Sequence, residues 1–178
     1  MEKYIFLDVD GVINIPPYDE FDEACLDNLE YLIRETGAKV VISSSWREGD
    51  LELTKNRFPD WLQKHIVGET VRGYHYVKKG STMPLVRGNE IKHWIDRHLK
   101  YPWHAYPERD EEFKLYNEDG SFKMMRLQKL YTDYNYVIID DDSDMLYEHK
   151  DNLVLCDSAT GLTNECVNKA VIILNRAA

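Results

Sequence analysis

The chain has 178 residues, 43% of them hydrophobic, and a formal net charge of −10. That length suits one domain with a sizeable core, and residues 1–178 read as a single unit. The acidic balance disfavours nucleic-acid binding driven by overall charge, and no apolar run approaches the roughly 18 residues a membrane span needs.

The chain opens Met1-Glu2-Lys3 and passes straight into a predicted strand over residues 4–8, without the pattern of a signal peptide. Cys25, Leu29, Leu32 and Ile33 fall on one helical face, and Gly37 is placed to stop that helix. Lys39-Val40-Val41-Ile42 predicts the second strand, running into Ser43-Ser44-Ser45-Trp46-Arg47. Asp50 is a cap for a short helix over 51–57, and Pro59 begins another short turn. Residues 65–71 read as a strand and 72–87 as loop, punctuated by Gly73, Gly80 and Pro84. Ile91, Trp94, Ile95 and Leu99 define an amphipathic helix. Residues 100–123 hold two prolines, many charges and clustered aromatics, and read as an insertion with little regular structure. A helix near 123–132 then leads to a strand at 136–139, a last strand at 153–156, and a closing helix carrying Val167, Ala170, Val171 and Leu174 with Thr163 as cap. Strands alternating with helices imply an α/β fold with a parallel sheet flanked by helices.

Two acidic clusters follow the most apolar strands. Asp8-Val9-Asp10-Gly11 ends the first, and Asp140-Asp141-Asp142-Ser143-Asp144 ends the strand at 136–139. Carboxylates at strand carboxyl ends emerge at the sheet rim where open α/β folds bind ligands. Crowded like charges need a cation, and an all-oxygen set points to Mg²⁺. Asp140 and Asp141 are the expected metal-facing pair, with Asp144 a further candidate and Asp142 or Ser143 a cap for a following helix. One of Asp8 and Asp10 can attack phosphorus while the other protonates a leaving oxygen and later activates water. The bland alternative for each cluster is a solvated polar turn. The 12-residue ligand spacing of a calcium loop is absent.

Ser43 and Ser44, with the free backbone N–H groups of a strand-to-helix turn, can hold a phosphate oxygen. Arg47 is a candidate for a bidentate phosphate contact or an ordinary surface arginine. Arg87, opening the 91–99 helix, can neutralise a phosphoryl group, with Lys123, Arg126 and Lys129 as rivals. None of the six histidines makes an HxxxH or HxH pair, which argues against zinc. Cys25, Cys156 and Cys166 show no CxxC pair and read as reduced thiols of a cytoplasmic protein.

Taken in order, four segments resemble the motifs of the haloacid dehalogenase (HAD) superfamily of phosphohydrolases: Asp8-Val9-Asp10-Gly11-Val12, the strand ending Ser43-Ser44, Arg87 near a helix start, and Asp140-Asp141 after an apolar strand. The resemblance implies a three-layer Rossmann-like HAD fold with a minimal cap and an insertion around 100–123. It implies Mg²⁺ as cofactor, Asp8 as nucleophile and Asp10 as general acid/base. Metal ligands would be Asp8, the backbone carbonyl of Asp10, and Asp140 or Asp141; Ser44 and Arg87 would hold the phosphoryl oxygens. Ser44-Ser45-Trp46-Arg47, Arg87-Gly88-Asn89-Glu90-Ile91, the 140–145 run and Gly161-Leu162-Thr163 are similar to HAD domains of RNA-repair proteins and, more distantly, to the phosphatase half of polynucleotide kinase–phosphatase. The expected partner is therefore a phosphorylated substrate extending to a nucleic-acid end, with no membrane and no obligate protein partner. A mononucleotide phosphatase is the nearest alternative. A phospho-accepting signalling domain or a catalytically silent binding domain are alternatives of another class.

Overall fold

The structure, a computed structural model, describes residues 1–78, 81–100 and 133–176. The helix expected near 123–132 and all of the expected 100–123 insertion beyond Lys100 lie outside the described residues.

Five strands form one parallel sheet: β1 (Glu2–Leu7), β2 (Lys39–Ile42), β3 (Ile66–Glu69), β6 (Tyr134–Asp140) and β7 (Leu153–Leu155), in the order β3-β2-β1-β6-β7. A two-stranded antiparallel hairpin, β4 (Tyr74–Lys78) with β5 (Ser81–Pro84), stands outside it. The sheet is flanked by helices in the three-layer α/β arrangement of a Rossmann-like fold. Its strands read as continuous apolar runs because both faces are covered. Ile5, Leu7, Val40, Ile42, Val137 and Ile139 pack on one face with α1 (Glu23–Thr36) and α5 (Asn164–Leu174). Tyr4, Phe6, Val41 and Ile138 alternate to the other face and meet Ile91, Trp94 and Ile95 of α4 (Arg87–Ile95). Leu99, on the π-helical turn Asp96–Lys100 that continues α4, joins the same cluster.

The helix boundaries follow local chemistry. Asp22 accepts a hydrogen bond from Cys25 N–H at the start of α1, and Gly37 at φ +65° ends it in the left-handed conformation. Asp50 caps α2 (Leu51–Lys55), Pro59 precedes α3 (Asp60–Gln63), and Thr163 accepts from Cys166 N–H in α5.

Residues 72–87 differ from expectation, since they contain the β4–β5 hairpin. Its strands are too short to carry a periodicity signal, and Gly73 and Pro84 sit at its ends. No α-helix directly follows the second acidic run either. A 3₁₀ turn at Tyr147–Asn152 comes next, and its cap residue Leu146 makes no side-chain capping bond, so Asp142 and Ser143 cap nothing there.

Candidate active site

The strands β2, β1 and β6 are neighbours, so their carboxyl ends release Ser43-Ser44, Asp8 and Asp140-Asp141 along one rim. The ladder continues one step past the strands: Asp8 N–H donates to Ile139 O at 3.0 Å and Ser43 N–H to Leu7 O at 2.8 Å. Asp8, Asp140 and Asp141 each contribute a carboxylate oxygen, and these oxygens lie within 4.8 Å of one another. Their approach requires Gly11: its φ is +75°, and a Cβ there would stand 2.2 Å from Asp141 Oδ2.

Burial is the main electrostatic effect on all three acids. It raises Asp8, against the opposing pull of the Arg87 guanidinium and a hydrogen bond with Ser44. It pushes Asp140 up to about 7, with the neighbouring Asp8 charge adding to it. Asp141 is also raised, again chiefly by burial. Asp140 Oδ1 accepts from Asp142 N–H at 2.9 Å, whereas its Oδ2 is buried without a hydrogen-bond partner. Crowded carboxylates with an orphaned buried oxygen are a hard, all-oxygen donor set that a divalent ion such as Mg²⁺ would satisfy.

Arg87 lies at the first turn of α4, with Nη1 3.7 Å from Asp8 Oδ1. That Nη1 is buried and makes no hydrogen bond, which leaves a cationic donor beside the carboxylates. Helix α4 is held there by the second acidic run. Val86 offers no side-chain cap, and Asp144 Oδ2 instead accepts from Arg87 N–H at 3.0 Å. Asp144 therefore caps the helix and stands outside the group of three carboxylates. Gly88 permits the close approach, because a Cβ there would be 2.3 Å from Leu146 N. Buried His149 ties the same place down: its Nε2 pairs with Gly88 O at 3.0 Å and its Nδ1 with Tyr136 Oη at 2.8 Å. A carbonyl oxygen only accepts, so Nε2 carries a hydrogen; in the neutral ring Nδ1 then accepts from the tyrosine.

The serines divide according to the direction each faces. The Ser44 hydroxyl faces Asp8 and helps hold its carboxylate charge, and its Oγ accepts from Trp46 N–H at 3.3 Å. Ser43 is turned away, its Oγ accepting from Thr70 Oγ1 at 3.4 Å. Arg47 is neither a surface arginine nor directed at Asp8, Asp140 and Asp141. It is buried, its Nε donates to Ser44 O, and its Nη1 meets Thr70 and, at 2.9 Å, Glu90 Oε2. Glu90 Oε1 in turn accepts from Gly73 N–H at 3.0 Å. This buried ion pair holds the loop after β2 against α4.

Asp10 does not join the group of three oxygens. Its Oδ1 accepts from Asn14 Nδ2 at 2.8 Å and Trp46 Nε1 at 3.0 Å, and its Oδ2 lies 3.4 Å from Ser45 Oγ. Sequence reasoning did not single out Asn14, Glu90 or His149 as functional, because their partners are distant in the chain or, for Asn14, because a turn asparagine is unremarked. The Ser44–Arg47 run was the available signal for Trp46.

The model of the family described as HAD domain in Swiss Army Knife RNA repair proteins matches residues 4–167. Neither the curated proteins nor the solved structures provide a match.

Proposed function

This chain belongs to the family of HAD domains in Swiss Army Knife RNA repair proteins and is a HAD-type phosphatase; from that premise we propose that it removes phosphate from polynucleotide 3′ or 5′ ends through an aspartyl-phosphate on Asp8. The observation that carries the chemistry is the meeting of Asp8, Asp140 and Asp141 beside Arg87, whose Nη1 faces Asp8 and makes no hydrogen bond. Asp8, Asp140, Asp141 and the backbone carbonyl of Asp10 would hold Mg²⁺. When bound, that ion supplies charge neutralisation, so that an anionic nucleophile and an anionic phosphoryl group can approach.

An Asp8 carboxylate oxygen attacks phosphorus as the bond to the leaving oxygen breaks. Asp10 gives that oxygen a proton. Asp10 then takes a proton from water, which attacks phosphorus and releases Asp8 with inorganic phosphate. Ser44 and Arg87 stabilise the phosphoryl oxygens by hydrogen bond and charge. Arg47, Glu90, Asp144 and His149 act at a distance by fixing the loop after β2 and the start of α4. The polynucleotide substrate is supported by the family to which the chain belongs, and the domain is read as one unit over residues 1–178.

The test is phosphate release from p-nitrophenyl phosphate, mononucleotides and oligonucleotides bearing 3′- or 5′-phosphates, with Mg²⁺ and with chelator, beside Asp8→Asn. Turnover of end-phosphorylated oligonucleotides that needs both Mg²⁺ and Asp8 is the expected outcome. Turnover of mononucleotides alone would refute the polynucleotide reading, and an Asp8→Asn variant as active as wild type would refute the nucleophile.

A further inference from the structure

We infer that Asn14 and Trp46 are positioning residues that clamp one oxygen of Asp10, leaving the other to exchange a proton with the leaving oxygen, and that the site is thereby suited to phosphate esters with poor, alkoxide leaving groups. The inference rests on the proposed role of Asp10 and deepens it.

Both donors converge on Oδ1, at 2.8 Å from Asn14 Nδ2 and 3.0 Å from Trp46 Nε1. An indole N–H can only donate, and so can an amide NH₂. An O–H on Oδ1 would point into two N–H groups, so the transferable proton sits on Oδ2. Among the described residues Oδ2 meets the exposed Ser45 hydroxyl at 3.4 Å, which can donate or accept and adapts to either state.

Each clamp residue is itself held. The Trp46 ring packs against Phe21 and Phe58, with centroids 5.3 and 6.2 Å away, and the Arg57 guanidinium lies 4.3 Å from its centroid. Asn14 is buried in the turn after β1, where its N–H donates to Val9 O at 2.9 Å and its carbonyl accepts from Gly11 N–H at 2.7 Å. Its amide faces Asp10 even though its own Oδ1 is buried without a hydrogen-bond partner. Trp46 reaches Asp10 from the loop after β2, so the clamp joins two loops of the rim and sets the direction of one carboxyl group.

Such alignment matters in proportion to how much the leaving oxygen needs a proton. A ribose alkoxide needs it to depart; p-nitrophenolate, a stabilised anion, does not. The experiment measures kcat/KM, which reports steps through leaving-group departure, for an end-phosphorylated oligonucleotide and for p-nitrophenyl phosphate in wild type, Trp46→Phe, Asn14→Ala and Asp10→Asn. The ratio of oligonucleotide to p-nitrophenyl phosphate kcat/KM is expected to fall about tenfold in each clamp variant and further in Asp10→Asn. An unchanged ratio, whether both substrates decline together or neither does, would overturn the clamp, since a purely structural role moves both alike. A second readout requires no turnover: the Trp46 indole N–H resonance, assigned by its loss in Trp46→Phe, is expected to shift in Asp10→Ala. An indole signal indifferent to Asp10 would also overturn it. Activity retained in Asp8→Asn would instead remove the nucleophile, leaving the clamp ratio as a separate result.

Discussion

Replacing Asp140 with asparagine is expected to stabilise the metal-free protein while removing its response to Mg²⁺. The Asp140 carboxyl is shifted from 3.8 to about 7 by burial and by Asp8. In the unfolded chain it releases its proton near 3.8, whereas the native state keeps it up to about 7, so between these values the folded protein binds more protons and its stability falls as pH rises. At about 1.4 kcal/mol per pH unit, the full penalty at pH 7.5 is about 4 kcal/mol. Because Asp8 and Asp140 titrate together, that figure is an upper limit; a gain on the order of 2 kcal/mol corresponds to about 6 °C in Tm for a chain of this size. Asparagine keeps an oxygen for Asp142 N–H and replaces the orphaned Oδ2 with a donor facing the carboxylates. Thermal unfolding in chelator at pH 7.5 and pH 4 measures the effect. The gain at pH 4 should be less than about a quarter of that at pH 7.5, because little of the penalty has developed there. In wild type, Mg²⁺ should raise Tm more at pH 7.5 than at pH 4, and in Asp140→Asn it should raise it little. A variant no more stable than wild type at pH 7.5, or a gain equal at both pH values, would refute the electrostatic reasoning.

Other outcomes follow from close contacts in the rim. Gly11→Ala places a methyl group 2.2 Å from Asp141 Oδ2 at a φ of +75°, so it should cost about 1–3 kcal/mol and weaken Mg²⁺ binding, read by denaturation and metal titration. Arg47→Met leaves Glu90 buried without its cation and should cost about 3–5 kcal/mol, while the double variant with Glu90→Gln should recover much of that in a double-mutant cycle. Asp144→Ala removes the acceptor at Arg87 N–H and should lower stability by about 1 kcal/mol and reduce turnover by loosening the start of α4, checked by unfolding and by steady-state kinetics.

Local signals carried the strands, the main helices and their caps. Continuous apolar runs at 4–7, 40–42 and 136–139 announced buried parallel strands, and the cap chemistry of Asp50 and Thr163 and the stop at Gly37 are visible within a few residues of their helix ends. The rim carboxylates were legible for the same reason: a strand that ends in acids must deliver them to the sheet edge, and the order β2-β1-β6 then brings Asp8 to Asp140 and Asp141. Pairings between distant segments were not legible. The hairpin at 74–84, the burial of Arg47 against Glu90, the capping of α4 by Asp144 and the hold of Trp46 on Asp10 each join elements whose proximity arises only when the sheet closes. Periodicity and capping report the chain's nearest few residues, so the amino-acid order determined what reached the rim, and tertiary packing decided which way each side chain there would face.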